Sequence, residues 1–315
     1  MNGCEYYLSS SGSGYFSSVN IRNNETLATI KKIKLCESHD YYPFINSIKG
    51  CVDGVLLAHT ILRECSKNNR ENVIFLWNPT LRKVVVIPLY GPLKKTEDVT
   101  FGFGFDSVSN IYKVVALSLE KNVLKTMVYN LGSCSWISPK VKGCSIDNVQ
   151  YLSRVSRSLN YEGCVYWLIQ TTGNHETHYL CFNLSTEALT SSKLPDVKGD
   201  KMQVMFTSRR LAVLYESLAL VDYSVGRLEH IRVWIKRRDG TISSIFTWVE
   251  LYNIDCNGRF LYLTNNGNVY LESEAVNELT VSVYDMKSGE EKDCSITNDH
   301  IKFMDGYLES LAFLR

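Results

Sequence analysis

The chain has 315 residues, 45% of them hydrophobic, and 34 basic residues stand against 33 acidic ones for a net charge of +1. A chain of this size buries most of the surface its unfolded form exposes, and so even a balance gives no broad field for nucleic acid or an anionic membrane. No apolar run approaches the roughly 18 residues of a membrane-crossing helix, and Met1-Asn2-Gly3-Cys4-Glu5 lacks the basic-then-apolar pattern of a secretory signal. The ten cysteines form no C-x-x-C pair, and several, such as Cys164 and Cys181, sit in apolar runs where a thiol acts as a small hydrophobe. Reduced thiols in the cytoplasm, or in the nucleus as well, are the expectation, with no bound metal or cofactor.

Along the chain, Glu5-Tyr6-Tyr7-Leu8 reads as a first strand and the Ser/Gly-rich Ser9–Ser18 as a flexible hairpin tip. Val19–Asn24 with Leu27–Ile33 is a weak hairpin. Val55–His59 is a strand, followed by the hairpin Val73–Trp77 and Lys83–Ile87 around Asn78-Pro79-Thr80, where proline has no N–H to donate. Tyr112–Leu117, Val165–Ile169, Leu218–Asp222 and Phe260–Leu263 are further strands, each followed by a hairpin with an aromatic anchor. The anchors Trp77, Tyr129, Phe182, Trp234 and Tyr284 lie 52, 53, 52 and 50 residues apart. A period near 50 is that of kelch-like β-propellers, one four-stranded blade per repeat. Six blades are expected, in one domain over residues 1–315. Tyr307–Leu314, which echoes Leu214–Val221, is expected to complete the N-terminal blade and close the ring. The large aromatics, Trp136, Trp167, Trp234 and Trp248 among them, are read as core.

Several segments carry a resemblance. Phe101-Gly102-Phe103-Gly104-Phe105-Asp106-Ser107 with Tyr112-Lys113-Val114-Val115 resembles the GFGYDS…DYKVV signature of plant F-box-associated domains. Trp77-Asn78-Pro79-Thr80, Val128-Tyr129-Asn130-Leu131 with Ser135-Trp136, Gly163-Cys164-Val165-Tyr166-Trp167, and Cys181–Glu187 with Leu194-Pro195 are similar to further motifs of that family in the same order. The S-locus F-box group looks nearest, around Phe101–Leu117 and Leu211–Asp222. The resemblance implies a substrate-receptor domain that catalyses nothing and captures a target protein for ubiquitination. In the S-locus group the target is a secreted ribonuclease and the outcome is self-incompatibility. A Skp-type adaptor and a cullin are expected as partners only where an F-box is supplied, and no F-box is recognised ahead of Glu5. Ile111 and Asn183 replace aspartates usual in the family. A free-standing interaction domain, or a degenerate copy unable to bind the adaptor, is the alternative.

Gly102-x-Gly104 lacks the third glycine and the Lys-Ser/Thr of a phosphate loop, and reads as a strand with closely packed glycines. His175-Glu176-Thr177-His178 is not a metal motif, since histidines three apart on a strand face opposite sides. Gly12-Ser13-Gly14 has no strand–turn–helix context for a nucleophile. Contact candidates for the protein partner are Tyr151, Arg154, Arg157, Arg209, Arg210, Arg237 and Arg238, read as lying between strands where propellers present loops.

Overall fold

A computed structural model describes residues 5–10, 15–22, 25–34, 47–64, 69–96, 98–120, 123–139, 149–152, 157–171, 177–195, 209–223, 229–238, 246–256, 258–275, 278–297 and 303–307. Among these residues the chain is built of antiparallel sheet with one short helix.

The strands fall into six sheets, five of four strands and one of five. The first holds β1 (Glu5–Ser10), β2 (Tyr15–Arg22) and β3 (Glu25–Lys34); the second, β4 (Ser47–Val52), β5 (Val55–Glu64), β6 (Asn69–Asn78) and β7 (Lys83–Ile87). After helix α1 (Gly91–Lys95) the third holds β8 (Val99–Asp106), β9 (Ile111–Glu120), β10 (Val123–Asn130) and β11 (Ser135–Ile137). The fourth contains β12 (Val149–Leu152), β13 (Leu159–Tyr161), β14 (Cys164–Thr171), β15 (Thr177–Asn183) and β16 (Leu189–Lys193). The fifth contains β17 (Arg209–Leu214), β18 (Ser217–Tyr223), β19 (Glu229–Arg238) and β20 (Phe246–Cys256), and the sixth β21 (Arg259–Leu263), β22 (Asn268–Ala275), β23 (Glu278–Asp285) and β24 (Glu291–Thr297). Finally β25 (Phe303–Tyr307) returns to the first sheet, where Tyr6 lies opposite Tyr307 and Ser10 opposite Phe303.

Every aromatic anchor of the repeat falls on the third strand of its sheet: Trp77 on β6, Tyr129 on β10, Phe182 on β15, Trp234 on β19 and Tyr284 on β23. The third strand of each sheet is flanked by two strands. Of the anchors there, Trp77 and Phe182 are fully buried, Tyr129 and Trp234 are nearly so, and Tyr284 is half-buried.

The strands group into two compact units. One spans Met1–Ser38 and Ser208–Glu309. Its core gathers Leu214, Val221, Val233, Ile235, Phe260 and Leu271, and its strands β21 and β25 approach one another, as do β17 and β21. The other spans His39–Thr207 and Ser310–Arg315, with Leu57, Leu76, Phe101 and Phe103 in one cluster and Trp167, Leu180 and Phe182 in a second. Here the sheet-edge strands β4, β8 and β13 lie against one another.

Gly102 and Gly104 are where the second unit needs glycine. A Cβ on Gly102 would strike the Trp167 and Val165 side chains, and one on Gly104 would come within 2.5 Å of Leu184 Cδ1. The Trp167 indole donates to the Phe101 carbonyl at 3.3 Å. The glycines thus let β8 press on β14, as a packed strand rather than a phosphate loop.

Some expectations needed correction. Ser9–Ser18 is mostly strand, within β1 and β2, and residues 11–14 lie outside the described residues. Phe260–Leu263 is the first strand of its sheet; the second, β22, was missed because Asn268 and Glu272–Ser273–Glu274 interrupt its apolar pattern. The returning C-terminal strand is Phe303–Tyr307; of the expected Tyr307–Leu314, residues 308–314 lie outside the described residues. Trp167 and Trp234 are core, but Trp136 and Trp248 are only half-buried, because both sit on outermost strands with one open side.

Candidate protein-interaction surface

The candidate contact residues are not gathered in one place. Arg154 lies outside the described residues; Tyr151 is on β12 opposite Gln170, in the second unit. Arg209 and Arg210 begin β17 and Arg237 and Arg238 end β19, so they lie on strands and not between them. The polar run misled because long cationic side chains can end a strand while their heads reach water or a carbonyl.

Arg209 faces inward with its side chain 7% exposed, and its guanidinium lies 3.7 Å from the carboxylate of Asp222, directly across the ladder. Burial pushes the Asp222 carboxyl up, against the pull of Arg209, Arg232 and His230. The Arg232 Nε–H donates to His230 Nε2 at 3.2 Å, which leaves the other ring nitrogen to donate to the Asp255 carboxylate at 2.8 Å. Arg210 donates to the Leu261 carbonyl and lies 5.5 Å from the Phe260 ring centre. Leu261 is the unpaired residue of a bulge between Phe260 and Tyr262, so its carbonyl is turned out of the ladder. Both arginines serve the fold by tying strands together.

The second unit repeats that device. Lys49 is the unpaired residue of a bulge in β4, and its carbonyl accepts the Ser158 N–H at 2.8 Å and the Ser158 hydroxyl at 2.6 Å. The Lys49 side chain is fully buried. Burial, and then the charge of Arg157, push its ammonium down to about 7. Arg157, half-buried, stands near enough for its charge to act on Lys49.

A second polar knot joins β8 and β9 to the turn after β15. Lys113, 5% exposed, reaches the Asp106 carboxylate at 3.1 Å, the Leu184 carbonyl at 2.7 Å and Glu187 at 3.2 Å. Asp106 also accepts the hydroxyls of Ser109 and Ser185, each at 2.6 Å, and the Val108 N–H at 3.0 Å. Burial pushes this carboxyl up, but the donors from Ser109, Ser185, Lys113 and Val108 outweigh it and hold it well below the usual carboxylate range. Such buried networks fix geometry; this one places the motif residues 101–115 as scaffold.

Arg237 and Arg238 are exposed, at the far end of the fifth sheet from Arg209. Arg209 stands level with Arg232, and six residues of strand separate Arg232 from Arg238, about 20 Å at ~3.3 Å per residue. Opposite them runs the start of β20, with Arg238 facing Phe246 and Lys236 facing Trp248. Directly opposed residues share a face, so Lys236, Arg238, Phe246 and Trp248 alternate cation with aromatic on one side. The Lys236 ammonium is 4.5 Å and the Arg238 guanidinium 5.7 Å from the Phe246 ring centre. Phe246 is 47% and Val249 37% exposed. A bulge at Leu251 divides β20. Beyond it, Tyr252, Ile254 and Cys256 pack on the unit's core, whereas Phe246, Thr247, Val249 and Glu250 are exposed and Trp248 is half-buried. Sequence reasoning missed Phe246 and Trp248; pairing the alternation Phe246-Thr247-Trp248-Val249 with the cations would have found them.

Among the described residues no three His, Cys, Asp or Glu side chains gather as a metal site. The tract His175–Glu176 lies outside the described residues, and Thr177 and His178 open β15. Among the described residues no helix is long and apolar enough to cross a membrane.

Antiparallel sheets of this kind, repeated at a period near 50, define a β-propeller. The chain matches the F-box associated beta propeller domain over residues 7–307 and belongs to that family. It is similar to an F-box/kelch-repeat protein of Arabidopsis thaliana, 24% identical over 221 residues, 68% of this chain and 53% of the relative. An F-box protein of the same plant is 34% identical over 92 residues, 28% of this chain and 23% of the relative. The chain spans about half the length of the first curated relatives it matches. Among solved structures it is similar to a chain of a nidogen/laminin complex, with TM-score 0.50 at 10% identity, covering 97% of this chain and 99% of that one. That likeness bears on the fold alone.

Proposed function

We propose that this domain is a substrate receptor: a rigid β scaffold that captures a target protein and contributes no chemical group of its own. The match to the F-box associated propeller family over residues 7–307 carries the reading. In an F-box protein the captured target would be held beside a ubiquitin-loaded enzyme through a Skp-type adaptor and a cullin, and transfer would gain from proximity. We take the six sheets as the blades of one ring in one domain; support comes from β25 pairing with β1, which gives both chain ends a sheet to share. A cytoplasmic or nuclear setting fits this role.

The narrower reading, a secreted ribonuclease captured in self-incompatibility, meets a physical objection. A basic ribonuclease would face Lys236, Arg237 and Arg238 with like charge, which costs on-rate and specificity. Affinity capture with the full chain from plant tissue, followed by direct binding of each purified protein recovered, tests the proposal. A target that binds directly and accumulates when the receptor is depleted supports it. A target that binds but never changes in abundance points to a free-standing interaction domain. Substrate turnover by the purified chain would overturn the receptor reading.

A further inference from the structure

The β19–β20 hairpin end combines an open sheet edge with cations that lean over it. In the fifth sheet β20 is the last strand, paired among the described residues with β19 alone. A sheet edge presents unpaired N–H and C=O groups that template a further strand. Natural edges are usually blunted by proline or a charge on the edge strand itself, yet Phe246-Thr247-Trp248-Val249 carries neither. The cations sit instead on β19 and lie across Phe246, a ring on the edge strand, so their heads point toward that edge. Among the described residues Arg237 and Arg238 have no acidic partner. The next residue on the same face of β20, Glu250, is exposed and sets a limit to the positive stretch.

We propose that residues 246–250 accept an extended acidic segment of the partner as a fifth strand. Its carboxylates would alternate with β-branched apolar residues. Main-chain hydrogen bonds to β20 would hold the segment, its acids would reach Lys236 and Arg238 across Phe246, and its apolar side chains would lie beside Thr247 and Val249. Five residues of edge span about 17 Å, enough for two carboxylates on one face. This rests on the receptor reading for its biological meaning, while the binding chemistry stands apart from any ligase.

The test is a fluorescence-anisotropy titration of the full chain with a labelled peptide of alternating Val and Glu. Comparison probes carry Lys for Glu, or N-methyl groups on alternate residues. The Glu peptide should bind, the Lys peptide should bind at least tenfold more weakly, and N-methylation on the edge-facing side should abolish binding. Arg238→Glu should weaken the Glu peptide about tenfold and Arg237→Glu, on the opposite face, less than threefold; both side chains are exposed, so melting should not change. Equal binding of the Glu and Lys peptides, or no effect of N-methylation, would overturn strand addition. If the peptide fails but a captured target still binds, with or without Arg238→Glu, the edge proposal falls and the receptor reading survives. If the peptide binds as stated but no target is recovered, the receptor reading falls and the edge proposal stands.

Discussion

Replacing Asp106 by alanine removes the carboxylate that receives the Lys113 ammonium at 3.1 Å. Lys113 is 5% exposed, so its charge cannot turn to water. Breaking a buried pair by deleting one partner costs about 3–5 kcal/mol. Lys113 keeps Glu187 and the Leu184 carbonyl, which places the expected loss near the low end, about 3 kcal/mol. Lys113→Met should cost less, about 2 kcal/mol, because Asp106 retains Ser109, Ser185 and the Val108 N–H. The double variant should lose about 1 kcal/mol or more less than the sum of the two. Urea unfolding followed by tryptophan fluorescence reads this through Trp167, buried beside Gly102. The pH sign follows from the depressed Asp106 carboxyl. Its contribution is complete above the ordinary carboxylate range near 4 and is lost as pH falls through the lower folded value. The gap between wild type and Asp106→Asn should therefore hold from pH 5 to 8 and narrow below 4. An Asp106→Ala loss under about 0.5 kcal/mol, or strict additivity in the double variant, would refute the buried network as a structural tie.

Gly102→Ala should cost about 1–3 kcal/mol by overpacking against Trp167 and Val165, seen as a lower urea midpoint. Trp234→Ala, 6% exposed in the wild type, should cost roughly 3–5 kcal/mol, and an unchanged melting temperature would contradict its place in the core. Lys49, buried and pushed down to about 7, binds a proton more readily unfolded than folded between pH 7 and its ordinary value. Stability should thus rise with pH across that window, and Lys49→Met should raise the melting temperature most below pH 7 and not at all above about 10.5. Deleting residues 303–315 removes the partner of β1; a ring closed there should lose cooperative melting, whereas melting indistinguishable from wild type would count against closure.

The repeat was legible because five of the six sheets carry a large aromatic on the third strand, and Trp77, Tyr129, Phe182, Trp234 and Tyr284 mark it at an even spacing. The strand β22 was illegible because its polar residues are satisfied by partners on the neighbouring strands of its sheet. Glu272 is buried yet paired with Arg259 across the ladder. The same cause hid the roles of the arginines. A basic residue reads alike whether it ends in water, as Arg237 does, or on the Leu261 carbonyl, as Arg210 does. Only cross-strand register separates them, and the register also brings Phe246 and Trp248 to Arg238 and Lys236.

Recognition of a protein partner by this domain is tested by calorimetric binding of a purified captured protein to the full chain. Saturable one-to-one binding is expected, and a target held at the β20 edge should bind about tenfold or more weakly when Arg237 and Arg238 are both changed to glutamate. A purified protein that shows no saturable binding, with none of the captured proteins doing better, would contradict that recognition.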